Sequence, residues 1–97
     1  MLWSLKGYFT NLKKYYYNRY PVVRHYTTFA AQHLDKFFFL LDYRIIDATR
    51  FASLHPGGIE LFQKYRNTDI TVHYKFHSKK ARNTIRNLQV AVLSKNN

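Results

Sequence analysis

The tetrapeptide His55-Pro56-Gly57-Gly58 is the tightest constraint on how this chain can fold. Proline fixes its own φ and supplies no N–H, and two glycines let the backbone turn with no side chain in the way. The segments on either side must therefore be separate short elements, with a histidine held at a loop between them and nothing bulky beside it. With 97 residues the chain has room for one small domain and an extension, and is too short for a two-domain enzyme. Apolar residues make up 46% and aromatics 19%, which excludes the aromatic-poor composition of a disordered chain. There is no cysteine, so a disulfide scaffold, a cysteine-held zinc, an iron–sulfur cluster and a cysteine nucleophile are all excluded. Any metal must be held by histidine or carboxylate. No run free of charge and histidine is long enough to predict a membrane-spanning helix.

Periodicity and turn signals divide the chain into short pieces. Leu2, Leu5, Phe9, Leu12 and Tyr16 recur at helical spacing, with Lys6, Lys13 and Lys14 between them, up to the break at Pro21. A short helix is expected over 27–33, with Thr27 or Thr28 as its cap. The apolar run Phe37 to Leu41, the turn Asp42-Tyr43-Arg44 and the pair Ile45-Ile46 read as a β-hairpin. Thr49 is placed as the cap of a brief helix through Phe51 and Leu54. Helices are expected over 59–65, about 70–76, and 79–88, the last with Ala81, Ile85 and Leu88 on one face. Val90 to Leu93 is expected to close the domain, leaving a short frayed tail.

Charge separates the two ends of the chain from an ordinary domain. The formal net charge is +11. The first acidic residue is Asp35 and the last is Asp69; beyond it lie Lys75, Lys79, Lys80, Arg82, Arg86 and Lys95. Such a surface suits an acidic protein face, anionic lipid or nucleic acid. The acid-free, basic and aromatic segment 1–21 is similar in character to a mitochondrial presequence and equally to an interfacial or docking helix. Nucleic-acid binding is permitted by the charge, but no binding motif supports it.

Of five histidines, His55 and His77 stand at loops between short helices, where two imidazoles could face one another across a cleft. Ile46-Asp47-Ala48-Thr49-Arg50-Phe51 followed by His55-Pro56-Gly57-Gly58 resembles the signature of the cytochrome b5 family. Further along, Asp69-Ile70-Thr71, Phe76-His77-Ser78 and Ala81-Arg82 resemble the segment carrying that family's second haem ligand. Tyr26-Thr27, Phe38 to Ile45 and Val90 to Leu93 also fit, so the likeness covers about residues 22–94. It departs in three ways. The ligands are a residue or two closer in sequence than usual, with the shortening read near Arg66-Asn67-Thr68; the chain is basic where microsomal members are acidic; and residues 1–21 are extra.

The resemblance implies an α+β fold in which a small mixed sheet supports two helix pairs around a haem pocket, preceded by a helical arm over 1–21 and ended by a tail at 95–97. It implies haem b held by His55 and His77, with Phe51, Leu54, Phe62 and Phe76 against the macrocycle. Phe39, Leu41, Ile46, Val72, Ile85 and Leu88 are further candidates for an apolar wall or an ordinary core. His73, one helical turn before His77, is set aside because the Phe-His-Ser context matches His77. Two histidine ligands leave no open iron site, which points to one-electron transfer by a carrier or fixed redox station that is not itself an enzyme. The expected setting is an accessory subunit of a mitochondrial respiratory-chain complex, peripheral to the inner membrane, with an acidic protein partner and anionic lipid contact through residues 1–21. The alternative is a haem-free structural subunit of a respiratory complex or a ribosome.

Overall fold

Strands β2 (Phe38–Leu41) and β3 (Arg44–Asp47) form the hairpin on which the fold is built, and they bury side chains on both faces. The computed structural model describes residues 20–55 and 57–95. The arm expected over 1–21 therefore lies, apart from Tyr20 and Pro21, outside the described residues. The hairpin turn places Asp42 and Tyr43 at φ of 48° and 61°, the left-handed pair of a type I′ turn whose twist matches that of the strands. Arg44 belongs to β3 and not to the turn.

Strand β4 (Gln89–Leu93) pairs antiparallel to β3, with a register shift between Ile45 and Ile46. Strand β1 (Val22–Val23), which the sequence reading missed, pairs parallel to β4 through Val22↔Val92 and Val23↔Leu93. The result is a four-stranded mixed sheet in the order β1-β4-β3-β2.

Because side chains alternate along a strand, the continuous apolar run feeds two cores. Val23, Phe38, Ile45 and Ala91 form one, covered by α1 (Tyr26–Ala31) through Tyr26 and Phe29. Phe39, Leu41, Ile46 and Ala48 form the other, beneath Phe62, Tyr65, Ile70, Tyr74, Ile85 and Leu88. Those side chains come from α2 (Gly58–Tyr65), α3 (Thr71–Tyr74), α4 (Lys79–Arg86) and the segments that flank them. A 3₁₀ helix, Thr49–Phe51, precedes α2. The two anticipated helix pairs, the 3₁₀ helix with α2 and α3 with α4, thus share one face of the sheet.

Several element ends differ from the sequence reading for local reasons. Helix α1 starts at Tyr26 because Phe29 N–H already reaches the His25 carbonyl at 3.1 Å; neither threonine caps it. Thr49 does not cap through its own position either: its hydroxyl donates to Asp47 and accepts from Phe37 N–H at 3.0 Å, stapling the hairpin to the 3₁₀ turn. Helix α3 is a single turn. Asp69 Oδ1 accepts from Thr71 N–H at 2.9 Å and starts it, while tightened bonds from Phe76 and His77 N–H to the His73 and Tyr74 carbonyls end it.

The segment 66–70 is tied to the free edge of β2. Asn67 N–H donates to Phe38 O at 2.7 Å, Leu40 N–H to Thr68 O at 2.9 Å, and Ile70 N–H to Leu40 O at 2.7 Å. A covered edge cannot recruit another strand. Arg66 reaches back to the Leu34 carbonyl and lies over the Phe37 ring at 5.2 Å, while Tyr26 O–H donates to Asn67 Oδ1 at 2.6 Å. Together these contacts fasten α1 and the chain leaving it to the turn after α2.

Two expectations follow. Ile45→Ala removes a fully buried side chain from the first core and is expected to cost about 2–5 kcal/mol in denaturant unfolding, whereas Leu34→Ala, at an exposed position, is expected to change little. Burial pushes the Tyr26 hydroxyl from 10.0 up to about 12, against the opposing pull of Arg66. The unfolded chain therefore loses this proton first, and stability falls as pH rises through the interval from 10 to 12. Thermal melts across that interval should show a steeper loss in the wild type than in Tyr26→Phe.

Candidate functional site

A cavity of about 560 Å³ opens between the sheet and the helices on its second face. Its floor is Phe39, Ile46 and Ala48. Phe51, His55, Leu61, Phe62 and Tyr65 approach it from the 3₁₀–α2 side. From the α3–α4 side come Ile70, His73, His77, Ser78, Lys80, Ala81, Thr84, Ile85 and Leu88. The volume suits a drug-sized or cofactor-sized ligand, and the lining is apolar apart from imidazoles and a few polar groups, the usual make-up of such a site.

His55 is fixed from both sides of the break. Its N–H donates to the Phe51 carbonyl at 3.0 Å, and its carbonyl accepts from Gly58 N–H at 2.8 Å. The glycines have separate physical reasons. A Cβ at position 57 would stand 2.8 Å from Leu61 Cδ2 and 3.4 Å from His55 Nδ1, while Gly58 adopts φ +77°, which side chains other than glycine's rarely tolerate. The His55 ring packs against Phe62 with centroids 5.0 Å apart.

His77 is placed by the turn from α3 to α4. Its Nδ1 lies 2.9 Å from the His73 carbonyl, so Nδ1–H donates and Nε2 keeps a lone pair. Ser78 starts α4 by accepting Ala81 N–H on Oγ at 3.2 Å, and Arg82 Nη1 donates to the His77 carbonyl at 3.3 Å. The imidazoles are not equivalent: Gly57 N–H donates to His55 Nδ1 at 3.1 Å, which leaves the proton of the neutral ring on Nε2. For Nε2 of His55 to bind a metal, that contact must give way and the proton must move or leave.

Of the residues read as a site from sequence, His55, His77, Phe51 and Phe62 line this cavity. Leu54 and Phe76 do not: they are 76% and 85% exposed. Each directly precedes one of the histidines in a turn, where neighbouring side chains diverge, and the histidine takes the inward position. Val72 is exposed for a similar reason, on the outer side of one-turn α3, and Leu41 is buried in the core beneath without reaching the cavity.

Sequence reasoning put Ala81 on the face of its helix with Ile85 and Leu88 and set His73 aside as a ligand, but gave neither these two nor Ala48 a place in the cavity lining. The alanines matter by leaving space, which no apolar pattern signals. His73 lines the cavity and packs on Tyr65 with centroids 5.3 Å apart; its spacing from His77 was the available clue. Among the described residues, no group of three or more histidine, cysteine, aspartate or glutamate side chains is disposed to hold a metal ion. Two imidazoles entering one apolar cavity suit an iron carried within a flat organic macrocycle better than a bare ion.

Comparison with known proteins agrees with this chemistry. No curated protein is similar enough to the chain to match it. The family model described as cytochrome b5-like heme/steroid binding domain matches residues 23–94, from β1 through the end of β4. With the sheet, the paired helices and the His-Pro-Gly-Gly turn in place, the chain belongs to the cytochrome b5-like heme/steroid binding domain family.

Proposed function

We propose that the chain binds haem b in this cavity, that His55 and His77 would hold its iron, and that it serves one-electron transfer as an accessory subunit of a mitochondrial respiratory-chain complex. The observation that carries the reading is the convergence of both imidazoles on one apolar cavity, with His77 already holding its Nδ1 proton against the His73 carbonyl. A backbone acceptor at Nδ1 orients the ring and raises the basicity of Nε2, the usual support for a ligating histidine. Haem would supply an iron that cycles between Fe(III) and Fe(II) with no open coordination position.

The protein's own groups then have distinct tasks. Phe39, Ile46, Phe62, Ile85 and Leu88 bury the macrocycle and exclude water, which favours binding by the hydrophobic effect. Ser78 and Lys80, two of the polar groups lining the α4 side, are suited to the carboxylate edge of the macrocycle. Ala48 and Ala81 leave room for it. His55 must exchange its contact with Gly57 N–H before its Nε2 is free, so His77 is the preset ligand and His55 the one completed on binding. No side chain set for acid–base or nucleophilic catalysis enters the reading, and a carrier or fixed redox station is the role that fits.

A second reading, a haem-free structural subunit of a respiratory complex or ribosome, has one observation in its favour. The Gly57–His55 hydrogen bond is the arrangement of a satisfied structural histidine. The chain's charge of +11 supports a place in a larger assembly under either reading.

The full chain, purified with haem supplied, should show the Soret and α bands of six-coordinate b-type haem. His55→Ala should retain haem as a five-coordinate species through His77, whereas His77→Ala should lose it more completely. A colourless wild-type protein would overturn the haem reading and favour the structural one. Ala81→Trp fills the cavity from α4 and is expected to abolish the visible bands while leaving the far-ultraviolet circular dichroism unchanged; retained bands would mean that haem binds elsewhere.

A further inference from the structure

The stretch from Val72 to Arg86 carries an exposed surface that the cavity does not use. Phe76 is 85% exposed and Val72, one helical turn earlier, is 64% exposed. Lys75, Lys79 and Arg86 are exposed in the same stretch, and none has an ion-pair partner among the described residues. Lys80, next to Lys79, reaches the cavity lining. Leu54, 76% exposed, stands beside the other cavity histidine. No acidic residue follows Asp69 in the sequence, and Asp69 is held by the Thr71 N–H and hydroxyl. Asp42, whose N–H donates to Thr71 Oγ1 at 3.0 Å, has its carboxylate paired with Arg44 at 3.4 Å.

We propose that this face docks on an anionic phospholipid bilayer, with Phe76 and Val72 entering the headgroup layer and Lys75, Lys79 and Arg86 on the acidic headgroups. Charge complementarity fixes the sign of the partner, and the residue types choose a bilayer over an acidic protein. Protein interfaces are depleted in lysine and set their register with charges of both signs, whereas the stretch from Val72 to Arg86 offers lysines and arginines and no acid of its own. Single projecting apolar side chains among long cationic ones are the pattern of an interfacial anchor: the stems lie along the apolar boundary and the charged heads stay in the headgroup region. The docking uses the protein surface and does not depend on haem being bound.

Co-sedimentation of the full chain with vesicles tests this. Binding is expected to vesicles of phosphatidylglycerol mixed with phosphatidylcholine, to be absent with phosphatidylcholine alone, and to weaken as salt rises. Each cation near an anionic surface contributes about fivefold in affinity, so the triple change Lys75→Glu, Lys79→Glu, Arg86→Glu should reduce binding by roughly 100-fold or more. Since the chain has no cysteine, Phe76→Cys carries a unique environment-sensitive fluorophore, whose emission should shift to the blue on anionic vesicles only. Circular dichroism of each variant controls for folding. Undiminished vesicle binding by the triple variant together with an unshifted label would assign binding to residues outside this face and overturn the proposal. So would failure of the wild type to bind anionic vesicles at low salt; salt-sensitive binding to a purified acidic protein, lost in the triple variant, would then assign the face to a protein partner.

Discussion

Ile45 and Ile46 are adjacent in the chain and buried on opposite faces of the same strand. The rest of the structure depends on that two-sided burial. Ile45 faces α1 and Ile46 faces the helices that wall the cavity, so neither layer can shift without disturbing the hairpin between them. Burying both faces of a small sheet is an efficient use of 97 residues, because successive residues of the central hairpin then contribute to one core or the other. It also leaves the cavity face with a rigid floor: Phe39 and Ile46 are packed from beneath by their own strands, and Phe62 meets Phe39 edge-on at 5.4 Å.

On that floor the two histidines are positioned by backbone contacts more than by side-chain packing. His55 is held where the 3₁₀ turn runs into α2; of the glycines that follow, Gly57 leaves room for the Leu61 side chain and Gly58 is required by a positive φ. His77 is held where α3 ends after one turn and Ser78 starts α4. The shortness of α3 has a consequence for surface chemistry. A helix of a single turn presents His73 to the cavity and Val72 outward, and sends Phe76 into solvent as the chain reverses. The same local geometry thus orients inward imidazoles and an outward apolar side chain.

Much of this was legible in the sequence. Phe38 to Leu41 with Ile45-Ile46 announced the hairpin, and His55-Pro56-Gly57-Gly58 announced both the break and the histidine it presents. The family likeness supplied His77 and the sheet with its helix pairs. Strand β1 was not legible, since two valines become a strand only by pairing with β4 at the far end of the chain. Leu54 and Phe76 were misplaced because an apolar residue beside a turn can face either way, and hydrophobicity alone favours the inside. Ala81 was legible as part of the apolar face of its helix, whereas Ala48 gave no signal because its part in the cavity is the bulk it lacks. The shortening read near Arg66-Asn67-Thr68 illustrates a different limit: that turn is pinned to the edge of β2, and the compact element between the histidines is α3.

The central claim is that both imidazoles reach one haem iron. Electron paramagnetic resonance of the ferric, haem-loaded full chain tests it most directly, because two imidazole ligands force the iron into the low-spin state. The account predicts a low-spin ferric signal with no high-spin component. A predominantly high-spin signal would contradict it, showing an iron with one histidine and an open or water-filled position.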